Sequence, residues 1–87
     1  MTDAEFNVKY GACLVDGFYG CDICDPELVR LADGFFEGFV RDCPGFRWYQ
    51  LKLKFGQVRC YTAPDDLGRL VEVEGDRLLA ARRGTTN

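Results

Sequence analysis

Residues 50–61, QLKLKFGQVRCY, constrain the fold more tightly than any other part of the chain. Apolar and polar residues alternate with period two, placing Tyr49, Leu51, Leu53 and Phe55 on one side and Trp48, Gln50, Lys52 and Lys54 on the other. That alternation marks a half-buried β-strand. Gly56-Gln57 fits a two-residue type II′ turn, because glycine takes a positive φ at the first loop position without steric cost. This turn pairs Phe55 with Val58, Leu53 with Cys60 and Leu51 with Thr62 on the core side. On the other face Lys54 meets Arg59 and Lys52 meets Tyr61. Like charges across strands repel by roughly a few tenths of a kcal/mol, so the face is either well solvated or matched by an anionic partner.

Charge is distributed unevenly along the chain. Residues 1–45 hold nine acids and three bases, residues 46–63 hold four bases and no acid, and the whole chain is net −3 at pH 7. An acidic protein is a poor general nucleic-acid binder, because phosphate contacts supply most of that affinity. A local patch of Arg47, Lys52, Lys54 and Arg59 beside Trp48 and Tyr61 keeps base stacking and phosphate contact as a minor alternative. An acidic mimic of DNA is a weaker option still, since Arg30 and Arg41 interrupt the acids of the following helix.

The hairpin also carries a resemblance. QLKLKFGQVRCY is similar to the QIKEKFGxLRxY-type segment of a group of small uncharacterised proteins encoded by bacteria and their phages. Gln50, Lys52, Lys54, Phe55, Gly56, Arg59 and Tyr61 match, with Leu51 for Ile and Val58 for Leu. Leu53 departs, standing where the group has Glu, and the Cys-x-x-Cys-Gly ending of that group is absent. The resemblance covers about half the chain and brings no activity with it. Together with the small acidic build, its phage members imply an inhibitor of a host factor, such as a bacterial defence complex targeted by an anti-CRISPR-like protein.

A helix is the second clear element. Asp25 is an N-cap, Pro26 suits the first helical position, and Glu27 favours the positive end of the helix dipole. Leu28, Leu31, Ala32, Phe35, Phe36 and Phe39 form one stripe at helical spacing with Val29 and Val40 at its edge, and Phe35 is expected at its centre. Gly34 and Gly38, four apart on its flank, predict close approach to the sheet. Asp42-Cys43-Pro44-Gly45 ends the helix. Upstream, alternating Phe6, Val8 and Tyr10 predict a short strand, and Gly17 and Gly20 bracket Phe18-Tyr19 in a loop. Residues 67–83 fit either a helix ending in Arg82-Arg83-Gly84 or a second hairpin turning at Gly75-Asp76. The hairpin is favoured, because Val-Glu-Val-Glu is a strand pattern and Gly75 would fall in mid-helix.

The chemistry is limited by what the chain lacks. It contains no His and no Ser, which removes Ser-His-Asp and Cys-His arrangements, histidine zinc motifs and histidine general bases. Carboxylates are plentiful but fall on expected solvent faces, so no enzyme and no cofactor are expected. Of five cysteines, only Cys21 and Cys24 have ligand spacing. A structural zinc would need two further thiolates from Cys13, Cys43 or Cys60, which leaves a zinc-knuckle interaction domain as an alternative. Asp22 and Asp25 disfavour a redox thiolate.

These features predict a single compact α+β domain over residues 1–87, with one Phe-rich amphipathic helix packed on a small antiparallel sheet. The expected function is a non-enzymatic protein-binding module in the cytoplasm of the producing cell or an infected host. Its expected partner-binding residues are Trp48, Gln50, Lys52, Lys54, Arg59 and Tyr61 on the outer hairpin face, with a protein as partner, no membrane and no bound metal.

Overall fold

The computed structural model describes residues 1–84, and the fold is α+β with a three-stranded mixed sheet and three helices. Chain order is α1 (Asp3–Lys9), a 3₁₀ turn (Gly11–Cys13), β1 (Gly20–Asp22), α2 (Pro26–Asp42), β2 (Arg47–Lys54), β3 (Gln57–Ala63) and α3 (Asp65–Gly84). The strands lie in the order β1-β2-β3; β2 is central, parallel to β1 and antiparallel to β3. The sheet is therefore mixed where an antiparallel one was expected, because α2 carries the chain back over the sheet between β1 and β2. Among the described residues no helix is long and apolar enough to cross a membrane.

Helix α2 begins and ends where its signals place it. The Asp25 side chain accepts from the Glu27 and Leu28 N–H groups, Pro26 opens the first turn, and Cys43 follows the last. Its buried face is Leu28, Val29, Ala32, Phe36 and Phe39, whereas Phe35 and Leu31 are only partly buried and Val40 is exposed. Phe36, fully buried, takes the central place expected for Phe35. Its ring meets those of Phe6, Tyr10, Phe39, Phe46 and Trp48 at centroid distances from 4.9 to 5.8 Å. Edge-on geometry dominates this cluster, as the ring quadrupole favours. One core joins every helix and strand, with Phe6 from α1, Cys21 from β1, Leu51 from β2, Val58 and Cys60 from β3, and Val71 from α3.

The N-terminal segment is helical and not a strand. Thr2 and Glu5 form a capping box, in which the Thr2 hydroxyl accepts from the Glu5 N–H and the Glu5 carboxylate accepts from the Thr2 N–H. This Thr-x-x-Glu signal outweighs the alternation of Phe6, Val8 and Tyr10. Only Phe6 and Tyr10, four apart on one helix face, are buried, and Val8 points outward.

Residues 65–84 form one continuous helix and not a second hairpin. The glycines that argued against helix are what lets it pack. A Cβ at Gly75 would stand 2.6 Å from Val58 Cγ2, and one at Gly68 would strike the Cys60 carbonyl. Close approach to the sheet thus belongs to Gly68 and Gly75 of α3. Gly34 of α2 faces open space, and near Gly38 there is only the end of the Arg41 side chain.

The hairpin exists, but its turn is displaced by one residue. Phe55 and Gly56 both have positive φ, 54° and 74°, and Lys54 pairs with Gln57, giving a two-residue loop of the I′ kind. Phe55 is therefore 93% exposed at the tip and is not paired with Val58 in the core. Leu51 faces Cys60, Leu53 faces Val58 and Lys52 faces Arg59. A register irregularity between Trp48 and Gln50 reverses the facing of the first part of β2. Trp48 consequently lies fully buried on the core side, its indole N–H donating to the Tyr10 carbonyl at 2.9 Å.

Three mutational tests follow from this packing. Phe36→Ala is expected to cost about 3–5 kcal/mol in urea unfolding, more than the same change at half-buried Phe35. Gly34→Ala is expected to stabilise by up to about 1 kcal/mol through helix propensity. Gly68→Ala is expected to destabilise by about 1–3 kcal/mol, because its methyl has to displace β3 backbone.

Candidate functional site

Both outer edges of the sheet are closed by side chains from a neighbouring helix. On β3, the Cys60 N–H donates to Glu72 Oε2 at 2.9 Å and the Val58 N–H to Asp76 Oδ1 at 2.7 Å. Glu72 and Asp76 are four apart on α3, so one helix face presents carboxylates to alternate backbone groups of the strand. On β1, the Asn7 side chain makes a two-point contact with Cys21, accepting from its N–H at 2.8 Å and donating to its carbonyl at 3.1 Å. Asp3, four residues earlier on α1, accepts from the Ile23 N–H at 3.1 Å and the Cys24 N–H at 2.8 Å. An open edge would otherwise be a template for strand addition.

With the inner face filled by the aromatic core and both edges engaged, the outer face of the sheet remains. Its side chains follow the strand pairing: Gln50 lies opposite Tyr61, Lys52 opposite Arg59, and Lys54 opposite Gln57. Five of the six expected contact residues, Gln50, Lys52, Lys54, Arg59 and Tyr61, share this face. Trp48 does not, because the irregularity at Tyr49 turns it into the core. Asp22 of β1 stands beside Lys52 in register. Arg59 donates to Gln57 Oε1 at 2.7 Å, and the Lys54 ammonium lies 5.9 Å from the centroid of the Phe55 ring.

The cations on this face differ from most others in the molecule. Lys9, Arg41, Arg69, Arg77 and Arg82 all lie within ion-pair distance of carboxylates, Arg82 bridging the start of α2 through Asp25 and Glu27. Lys52, Lys54 and Arg59 make no ion pair with any described residue.

An open groove of about 630 Å³ adjoins the Gln50–Tyr61 end of the face. Phe18, Tyr19, Tyr49, Gln50 and Tyr61 line it, together with the first turns of α3. Phe18 stacks edge-on against Tyr49 with centroids 4.8 Å apart, and Tyr19 is 79% exposed. These loop aromatics join the face although the sequence pattern marks them only as an aromatic pair held between Gly17 and Gly20. Strict alternation puts Tyr49 on the core face, and the irregularity between Trp48 and Gln50 turns it outward.

The paired cysteines stand elsewhere. Cys21 is buried, and its thiol donates to Asp3 Oδ1 at 3.1 Å; Cys24 is exposed. Burial, and then the neighbouring Asp3 carboxylate, push the Cys21 thiol up. The Asp3 carboxylate, by hydrogen bond and charge, pushes up that of Cys24. Cys60, buried on the inner hairpin face, is pushed up to about 12 by burial. Possible ligand atoms of Asp3, Asp22 and Cys24 lie within 4.8 Å of one another. Asp3 is also committed to closing the β1 edge through the Ile23 and Cys24 N–H groups.

Comparison with family models, curated proteins and solved structures returns no match to this chain.

Asp3 also sets an acid response. Burial, the largest influence, would raise its pKa. The hydrogen bonds from the Cys21 thiol and the Cys24 and Ile23 N–H groups together outweigh it and hold the carboxyl below its ordinary value. A depressed folded-state pKa gives stability that is fully present above the unfolded value of about 3.9 and is lost as pH falls through the folded one. Asp3→Asn is expected to lower stability at neutral pH by about 1–2 kcal/mol. It should also lessen the decline below about pH 4. Urea midpoints measured across pH check both effects.

Proposed function

We propose that this chain is a non-enzymatic protein-binding module whose contact surface is the outer face of the β2–β3 hairpin. One observation carries the reading: on the outer sheet face of an otherwise acidic molecule, Lys52, Lys54 and Arg59 make no ion pair among the described residues. Exposed aromatics adjoin them, and Tyr and Arg are among the residue types that dominate binding hot spots. An acidic protein surface complements this face and would be oriented by it. Because side chains occupy both sheet edges, recognition runs through side chains across the face and not through an added strand. The resemblance of the hairpin to bacterial and phage proteins extends the proposal to an inhibitory role against a host defence complex.

The test is a pull-down from the producing organism or its phage host, using wild type and a variant with Lys52, Lys54 and Arg59 all changed to Glu. The variant is expected to lose partner capture while its melting temperature stays close to wild type, since exposed charges contribute only about 0–1 kcal/mol to folding. Capture at wild-type affinity by the triple variant would refute the assignment of this face.

A further inference from the structure

We infer that the groove at the Gln50–Tyr61 end of the hairpin face receives an aromatic or large aliphatic side chain from an acidic, extended segment of the partner. This rests on the protein-binding reading above and names what the partner presents.

The groove has an aromatic wall facing a charged α3 side. Glu72 there is engaged by the Cys60 N–H, and Asp65 lies 3.8 Å from Arg69. The wall opposite is aromatic and open: Tyr19, Phe18 and Tyr61 are 79%, 49% and 44% exposed. Large rings already held near one another lose little conformational freedom when they close on a ligand. Gln50, between them, has an amide with no hydrogen-bond partner among the described residues, and it is available to a backbone group of an incoming segment.

Position along the strands sets the pattern of that segment. The next outward pair beyond Gln50 and Tyr61 is Lys52 and Arg59, and beyond it stands Lys54. Successive outward pairs are separated by about 7 Å, twice the rise per strand residue. An extended peptide has the same repeat, so with its anchor in the groove its residues two and four positions away lie over the cations. Acidic residues at those alternate positions would satisfy Lys52, Arg59 and Lys54.

The test uses short fluorescent peptides of defined sequence with the whole chain at low ionic strength. One peptide has a central Phe and Glu at alternate positions; a second replaces Phe with Ala, and a third replaces Glu with Lys. The Phe peptide is expected to bind at least about tenfold more tightly than the Ala peptide, and the Lys peptide is expected not to bind. Tyr61→Ala, at an exposed position that leaves folding intact, is expected to erase the difference between Phe and Ala peptides. Charge reversal at Lys52 and Arg59 is expected to weaken both. Equal, charge-dependent binding of Phe and Ala peptides overturns the groove and leaves the hairpin face standing. Failure of every peptide to bind overturns the groove as a reader of linear segments, while the pull-down judges the face independently. Preference for oligothymidylate, lost with Tyr61→Ala, overturns the inference in favour of base stacking.

Discussion

The fold depends on satisfying the two free edges of a sheet only three strands wide. An edge strand buried beneath a helix has alternate N–H and C=O groups that cannot reach water, and each one left unpaired costs about 1–3 kcal/mol. This chain meets that demand with the same device twice. Asp3 and Asn7 on α1 serve β1, and Glu72 and Asp76 on α3 serve β3, each pair separated by one helical turn. The device requires the helix axis to lie close to the strand, and on the β3 side Gly68 and Gly75 permit it. Thr62 completes that seam by accepting from the Gly68 N–H at 2.9 Å. Much of the acidic character of the chain is therefore structural.

This explains why α3 was hard to read from the sequence. Val-Glu-Val-Glu-Gly-Asp has the alternation and the turn signal of a hairpin, and Gly75 lowers helix propensity by about 1 kcal/mol relative to alanine. In the helix the same letters have different tasks: Val71 enters the core, Glu72 and Asp76 reach the strand, and Gly75 makes room for Val58. Tertiary contact outweighs local preference here, and single-residue patterns do not encode such contact. Helix α2 was legible because its signals are local, an Asp-Pro start and a wide apolar stripe. Even there, the choice between adjacent Phe35 and Phe36 as the central ring depended on where Phe6 and Trp48 would stand. The Thr2-x-x-Glu5 capping box was equally local, and alternation was wrongly given precedence over it.

The hairpin shows how a single backbone detail redistributes function. Period-two reasoning assigned most outer-face residues correctly, because Gln50 to Lys54 and Arg59 to Tyr61 alternate without interruption. It could not anticipate the irregularity at Tyr49, which moves the one tryptophan from the presumed contact surface to the centre of the core. Nor could it anticipate a phenylalanine in the left-handed region at position 55, a conformation that bulky residues seldom adopt. The outer face gains aromatic character from another source, as Tyr49 turns outward to stack on Phe18 from the loop before β1, beside exposed Tyr19.

The division of charge then follows from the division of labour. Carboxylates are drawn to backbone N–H groups at strand edges and helix starts, while cations pair with carboxylates along the helices, Arg69 and Arg82 with those at helix starts. Arg82 illustrates the second step: it ties the end of α3 to the Asp25 cap of α2, and its hydrogen bond is the largest influence holding that carboxyl below its ordinary range. The hairpin has no helix laid across its outer face to bring acids to Lys52, Lys54 and Arg59. Opposed Lys52 and Arg59 weaken the sheet slightly. The carboxylates that close the edges and cap the helices are engaged there, and Lys52, Lys54 and Arg59 are left without an ion pair among the described residues.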